Sequence, residues 1–156
     1  MTEPDVSVIH ERLVALCLAM PTVTTAQAWW PDNEEPFTDA QLPAAIVMPA
    51  PNVNNQILSG SEYQTNEDWV LGFLVKRFPG DYDLRDRTTW GLVRPFIRSV
   101  PSYFNARRSL ELTPATPGLV RGITLPSVFS LAPASFDQAL YAAVGFRMTT
   151  YTIHSS

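Results

Sequence analysis

The hydrophobic positions near the start of the chain recur at intervals of three and four, the spacing of an amphipathic helix. Over residues 5–20 they form one stripe, made of Val6, Ile9, Leu13, Leu16, Cys17 and Met20. Thr2 and Asp5 have the spacing of a capping box, and Pro21 predicts the end of the helix. We therefore predict a first helix that packs onto the rest of the protein through this stripe.

The segment LPAAIVMPAP, residues 42–51, contains a short apolar run with proline on both sides. Ala44 to Met48 has the length of one strand, and the prolines predict that this strand extends in neither direction. Because the run is apolar on both faces, both faces need a cover. We expect a helix to cover one face and another subunit to cover the other.

Two longer segments alternate as strands do. WVLGFLVKRF, residues 69–78, places Trp69, Leu71, Phe73 and Val75 on one face and predicts a central strand. ALYAAVGFRMTTYTI, residues 139–153, predicts a half-buried antiparallel strand. Shorter strands are predicted at 22–30 and within LVRGITL and SVFSL. The polar, turn-rich residues 51–68 suit the arms of a protruding β-hairpin or a mobile loop.

A second helix is predicted after Asp83, with an apolar side and a basic side. The apolar side contains Leu92, Val93, Phe96, Ile97 and Val100, and the basic side contains Arg87, Arg94 and Arg98. Pro95 predicts a kink or break near Gly91, and Pro101 predicts the end of the helix.

This order of elements predicts the α+β class, with a mixed, mainly antiparallel sheet and two helices packed on one face. The length of 156 residues favours one domain over residues 1–156, with the hairpin or loop at 51–68 protruding from it.

The charge is low and unevenly distributed. Charged residues make up 17 % of the chain, against about 25 % in an ordinary soluble domain, which indicates a subunit of an assembly. Residues 85–108 hold six arginines and one aspartate, a net +5, while the remainder holds five basic and fourteen acidic residues, a net −9. Two unlike faces of this kind suit head-to-tail association.

The sequence gives little support for catalysis, a metal or a cofactor. Neither histidine has a local partner, and the one near the C-terminus lies at an end that we expect to be mobile. Cys17 is alone and lies on the apolar stripe, which favours a buried structural thiol. The aspartates of DYDLRD lack the glycine and distal glutamate of a calcium loop. Trp29 and Trp30 suit a core or interface anchor better than a sugar platform.

No apolar run is long enough to span a membrane, and the N-terminus lacks the order of a signal peptide. We therefore expect synthesis in the cytoplasm and no membrane partner. The arginine stripe has three readings: a solvated helix face, an interface within a ring, or a contact with nucleic-acid phosphate. A sequence-specific DNA-binding protein is disfavoured by the negative net charge and the lack of a recognition motif.

Taken together, the order of elements resembles the tail terminator (tail completion) proteins of long-tailed bacteriophages. The residues that carry the resemblance are the first helix, LPAAIVMP, the polar hairpin region leading into WVLGFLVKRF, the helix opening DLRDRTTWGLVRPFI, and ALYAAVGFRMTTYTI. It covers roughly residues 6–153.

The resemblance implies a non-enzymatic virion protein that forms a hexameric ring at the head-proximal end of the tail tube. Its partners would be further copies of itself, the tail tube protein and a neck or head–tail connector protein, with non-specific DNA contact in the channel as a further expectation. The candidates for the subunit interface or the channel lining are Arg87, Arg94, Arg98, Arg107 and Arg108. The acidic partner candidates belong to the loop 31–41 and are Asp32, Glu34, Glu35 and Asp39. The alternatives are another neck or tail-tube component, and a small α+β enzyme or ligand-binding domain.

Overall fold

The computed structural model describes residues 6–28, 37–78, 87–108, 110, 120–130, 134–136 and 139–155. The helices are α1 (Val6–Leu18) and α2 (Arg87–Asn105), with a 3₁₀ turn at Asp39–Gln41. The strands are β1 (Thr25–Gln27), β2 (Ala44–Ile57), β3 (Glu62–Phe78), β4 (Val120–Ile123), β5 (Ser127–Ser130), β6 (Ala134–Phe136) and β7 (Ala139–Ser155). Of the predicted features, Trp29 and Trp30, the acidic residues Asp32, Glu34 and Glu35, and the DYDLRD aspartates lie outside the described residues.

The strands form one sheet in the order β1-β2-β3-β7-β4. The short strands β5 and β6 also pair with β7, on the edge that β4 occupies farther along. The β1–β2 pair is parallel, and the other pairs are antiparallel. The predicted α+β class with a mixed, mainly antiparallel sheet is confirmed, and β3 is central because β2 and β7 lie on its two sides.

Both helices pack on the same face of the sheet. The stripe of α1, including Leu13 and Cys17, and the apolar side of α2, including Phe96 and Phe104, meet the strands in one core. Leu71 of β3 lies in that core with no exposed surface. Cys17 is fully buried, and burial raises the pKa of its thiol to about 12, so the thiolate does not form at neutral pH.

The other face of the sheet is covered in part by the chain itself, contrary to our expectation of a second subunit there. Ala44 and Ile46 of β2 are buried beside Leu74, Tyr141 and Ala143, with Phe37 and Leu42 of the preceding segment packed against them. The Phe37 and Tyr141 rings meet edge to face, with 6.4 Å between their centroids. The residues that precede β2 therefore provide part of the cover that the sequence analysis assigned to a neighbour.

The prediction that prolines confine the strand to Ala44–Met48 is wrong. β2 continues through Pro49 and Pro51 to Ile57, with a shift of register between Pro49 and Val53. β1 pairs with β2 only along Ala44–Ile46, so farther along one edge of β2 has no strand partner among the described residues. A proline at an irregular, edge position removes no hydrogen bond of the ladder, which explains why the strand tolerates both residues.

The predicted end of α2 at Pro101 is also wrong, and where the sequence predicted a kink or break near Gly91 the structure has no break. The helix runs without interruption from Arg87 to Asn105 and includes both prolines. Pro95 cannot donate to the carbonyl of Gly91, but Gly91 and Pro95 are both exposed, so water can satisfy that carbonyl. Val93, Phe96 and Val100 on the apolar side are buried. Their packing keeps the helix on the sheet along the stretch that contains both prolines.

Candidate functional site

The outer parts of β2, β3 and β7 form a three-stranded extension, defined here as residues 53–57, 62–68 and 149–155. Leu58 to Ser61 make the turn between β2 and β3, and the amides of Leu58 and Ser59 donate to the Glu62 carbonyl at 3.0 and 3.1 Å. The strand register sets three rows of side chains on the helix side of this extension. The rows are Val53–Glu67–Thr150, Asn55–Thr65–Thr152 and Ile57–Tyr63–His154.

These rows line a groove of about 560 Å³ on the helix side, with Ile9 of α1 at its base. Its lining combines a carboxylate, an imidazole, amides and hydroxyls with exposed apolar side chains. Val53 is 60 % exposed and Ile57 is 84 % exposed, the highest value among the large hydrophobic residues described. We refer to this surface as the groove.

Buried polar side chains secure the inner end of the groove. The His10 Nε2–H donates to the Val47 carbonyl at 2.7 Å, and a carbonyl only accepts, so this nitrogen carries a proton. The Trp69 Nε1–H donates to Thr150 Oγ1 at 3.0 Å, and the His10 ring lies 5.1 Å from the Trp69 ring. These bonds fix α1 to β2 and β3 to β7 at the point where the extension begins.

Glu67 is the carboxylate at this inner end, and it is only 6 % exposed. Burial raises the pKa of Glu67 above its ordinary 4.5, while the charge interaction with His10 acts in the lowering direction. The net shift is upward because removal of the carboxylate from water outweighs the attraction. The folded protein therefore holds a carboxylate whose charged form is poorly compensated.

This upward shift predicts how the stability of a Glu67→Gln variant depends on pH. Because the folded-state pKa is raised, the contribution of Glu67 to stability is fully present below pH 4.5 and is lost as the pH rises through the folded-state pKa. The neutral amide avoids this loss, so at pH 7 we expect the variant to unfold about 2–4 °C higher, for roughly 1 kcal/mol of relief. Thermal melts at pH 4.5 and pH 7 measure the effect, with the exposed Glu62→Gln as the matched control. Equal melting temperatures of wild type and Glu67→Gln at pH 7 would contradict it.

A second polar cluster lies near the tip of the extension. The single Thr65 hydroxyl proton goes to Asn55 Oδ1 at 2.8 Å, so His154 Nε2 must donate to Thr65 Oγ1, also at 2.8 Å. His154 stacks on Tyr63 at 4.5 Å and is 7 % exposed, and its Nδ1 has no hydrogen-bond partner within the described part of the chain. The expectation that this end of the chain is mobile is not met in the structure, because His154 is buried within β7.

The opposite face of the extension carries a separate polar depression of about 430 Å³. Asn54, Asn66, Asp68 and Thr149 contribute to its lining. Thr149 Oγ1 donates to Asp68 Oδ1 at 2.6 Å, so this carboxylate has a hydrogen-bond donor within the subunit.

The predicted arginines lie on or just after α2. Arg94 and Arg98 are exposed on one stripe of the helix, opposite its buried side. Arg107 packs over the Tyr103 ring at 3.8 Å and donates to the Tyr103 carbonyl, and Arg108 bonds to Asn105 at 2.6 and 3.0 Å. Arg87 is the first residue of α2. Arg94 and Arg98 are thus an exposed pair on α2, while the half-buried Arg107 and the exposed Arg108 make local contacts.

Among the acidic candidates the structure describes Asp39, and three residues in or beside the groove were overlooked by the sequence analysis. Asp39 is exposed in the 3₁₀ turn, where it is available to a partner. His10, Glu67 and His154 were not selected from the sequence, because their proximity depends on the register of β3 with β7 and on the position of α1. The burial of Glu67 carries a weak sequence signal: it shares the alternation of Trp69, Leu71 and Phe73.

No protein-family model matches the chain, and no curated protein matches its sequence. Among the described residues, no group of three or more histidine, cysteine, aspartate or glutamate side chains is placed to hold a metal ion. In the same part of the chain, neither helix is long and apolar enough to cross a membrane.

Proposed function

We propose that the chain is a structural virion protein that forms a ring at the head-proximal end of a phage tail tube. The ring stops tube polymerisation and provides the surface for joining the head. Its partners are further copies of itself, six in a closed ring, the tail tube protein, and a neck or connector protein. This proposal continues the resemblance described above and assigns no catalytic role.

The observation that carries the proposal is the exposed edge of the three-stranded extension. Val53 and Ile57 project from β2, which has no strand partner on that edge among the described residues. The segment 52–57 contains no charged residue and no proline, the devices that protect a free strand edge. An unprotected edge with exposed apolar side chains supports an assembled state in which another chain covers it.

The mechanism in this proposal is geometric. One face of the ring docks onto the last ring of tube protein, and the opposite face lacks the features that recruit another tube subunit. Polymerisation stops because the growing end no longer presents its own template. The arginines of α2 then serve either the contact between ring subunits or the lining of the channel through which DNA passes.

Electron microscopy of the purified chain in negative stain tests the assembly. We expect rings with a central opening and a sedimentation mass that is a multiple of the 17.4 kDa subunit, six subunits in the proposed state. A protein that remains monomeric at every concentration would contradict the proposal. Rings that elongate into tubes by themselves would favour the alternative of a tail-tube component.

A substitution at the exposed edge tests the same proposal without disturbing the fold. Val53→Ser with Ile57→Ser should leave monomer stability within about 0.5 kcal/mol, because both side chains are already in water. Ring formation should weaken at least tenfold, since the apolar anchors of the interface are lost. Sedimentation velocity measures this change, with Leu125→Ser, 43 % exposed on a different segment, as the matched control. Equal assembly of the two variants would remove the extension from the interface.

A small ligand-binding domain is the second candidate, and the groove favours it. Its volume of about 560 Å³ lies within the range of about 300–1,000 Å³ typical of ligand pockets. This candidate predicts a monomer that binds a small molecule. The observation of a ring would therefore argue against it.

A further inference from the structure

The groove contains a carboxylate that lacks a strong cationic partner. Among the described residues, the electrostatic influence on Glu67 comes from the His10 imidazole, and no lysine or arginine contributes. A carboxylate that is 6 % exposed and only weakly compensated destabilises the isolated subunit. Such a group gains most from a cation that enters from outside the subunit.

The lining of the groove suits an arginine side chain in particular. A guanidinium can donate two parallel hydrogen bonds to one carboxylate. Asn55, Gln56 and Thr65 add further acceptor oxygens near the mouth, and Val53 and Ile57 offer apolar surface to the methylene stem. The compact ammonium group of a lysine would make fewer of these hydrogen bonds.

The chain itself presents matching arginines on a different surface. Arg94 and Arg98 are one helical turn apart and exposed on α2, with Pro95 exposed beside them. The α2 helix packs over β3 and β7, whereas the groove is lined by Ile9 of α1 and by residues in the outer parts of β2, β3 and β7. Because donor and acceptor are different surfaces of one chain, the contact is heterologous and can close into a ring.

We propose that the groove receives the Arg94–Arg98 face of α2 from a second copy of the chain, with Glu67 as the carboxylate that binds the incoming guanidinium. The inference rests on the proposed ring and specifies its subunit contact. It replaces the loop 31–41 as the first acceptor for these arginines and assigns them to the interface rather than to the channel.

Site-directed cross-linking tests this contact in the assembled protein. Gly91→Cys and Ser102→Cys lie at exposed positions on either side of the arginine pair, and a Cβ at Gly91 would meet no atom within 4 Å. Each is coexpressed with a differently tagged Asn55→Cys chain, whose new thiol lines the groove. The native Cys17 is buried and does not compete. Asn54→Cys, exposed on the opposite face of the same strand, is the matched control.

We expect Asn55→Cys to form an intermolecular disulfide with at least one of the two α2 cysteines, and Asn54→Cys with neither. A disulfide requires Cα atoms within about 7 Å, so the result reports direct contact. Oligomers that form without this cross-link, or that cross-link equally through Asn54→Cys, would overturn the docking proposal and leave the ring standing. A protein that forms no oligomer would overturn both proposals. If the groove instead binds a small cation or a different protein, the cross-linking experiment gives one of these two negative results.

The Glu67→Gln variant provides a second readout. We expect its assembly to be at least about tenfold weaker by sedimentation, because the carboxylate that pairs with the guanidinium is gone. An unchanged far-ultraviolet circular dichroism spectrum would show that the loss is not one of folding. Assembly equal to that of wild type would exclude Glu67 as the acceptor.

Discussion

Reversing Arg94 and Arg98 to glutamate is expected to abolish ring formation while the subunit stays folded. Both side chains are exposed on α2, so the monomer loses no buried contact. In the proposed ring each reversed residue would face the groove and its Glu67, and like charges opposed across an interface cost several kcal/mol. Repeated at every subunit contact, this cost is large enough to leave monomers at ordinary concentrations.

The control for this prediction changes the charge equally at another surface. Lys76→Glu with Arg77→Glu alters two exposed cations near the inner end of β3, and we expect rings to persist. Sedimentation separates the readings of the arginine face. Lost rings support the interface, intact rings with altered DNA retention support the channel, and intact rings with normal virions would leave only a solvated helix face.

The largest effect on folding is expected from Leu71→Asp. Leu71 is fully buried in the central strand β3, between Val47 and Phe146 in the register of the sheet. An unpaired carboxylate there adds the cost of charge burial to the loss of an apolar side chain, about 4 kcal/mol or more. A loss of this size is a large part of the total stability of about 5–15 kcal/mol typical of a domain. We therefore expect a protein that is largely unfolded at 37 °C.

Val70→Asp is the matched control for this change. Val70 is the neighbouring residue on the other face of β3, half-buried, and pairs in register with Arg147. A carboxylate at this position can meet water and an arginine, so we expect a loss of only about 1 kcal/mol. Urea denaturation of the two variants measures the difference. Similar unfolding midpoints would mean that the helix side of β3 is not the core.

The hydrophobic periodicity of the sequence predicted those elements whose apolar side chains are buried in the core. The stripe of α1 and the two sides of α2 follow the sequence, with Arg94 and Arg98 opposite the buried side. The alternation of β7 also holds, but this strand is not half-buried throughout, because Tyr141 and Ala143 on its other face are buried as well. These features were accessible because burial of a stripe is decided by residues three or four apart, or two apart in a strand.

Features that depend on distant residues were not accessible in this way. Val75 alternates with Trp69 and Leu71 in sequence, but it lies at a register shift and is only half-buried. Pro49 is tolerated because no strand pairs with that edge of β2 among the described residues, which local sequence does not reveal. Propensity arguments therefore failed where tertiary context decided the outcome.

The candidate site likewise has one part that local sequence predicts and one part that depends on contacts between distant residues. The arginine face could be recognised from spacing alone, since it belongs to one helix. Glu67 lies in the polar segment QTNED, and only the pairing with Val53 and Thr150, together with the packing of α1, makes it the floor of a groove. The groove is assembled from residues far apart in sequence, so it could be recognised only from the folded structure.

The proposed termination of tube growth is measured by tube length. The purified protein is added to the polymerising tail tube protein of the phage from which the chain is proposed to come, and tubes are imaged in negative stain. We predict that tube length falls as the ring concentration rises, with one end of each tube capped, and that the Arg94→Glu, Arg98→Glu variant leaves length unchanged. A length distribution that does not respond to the wild-type ring would contradict the account.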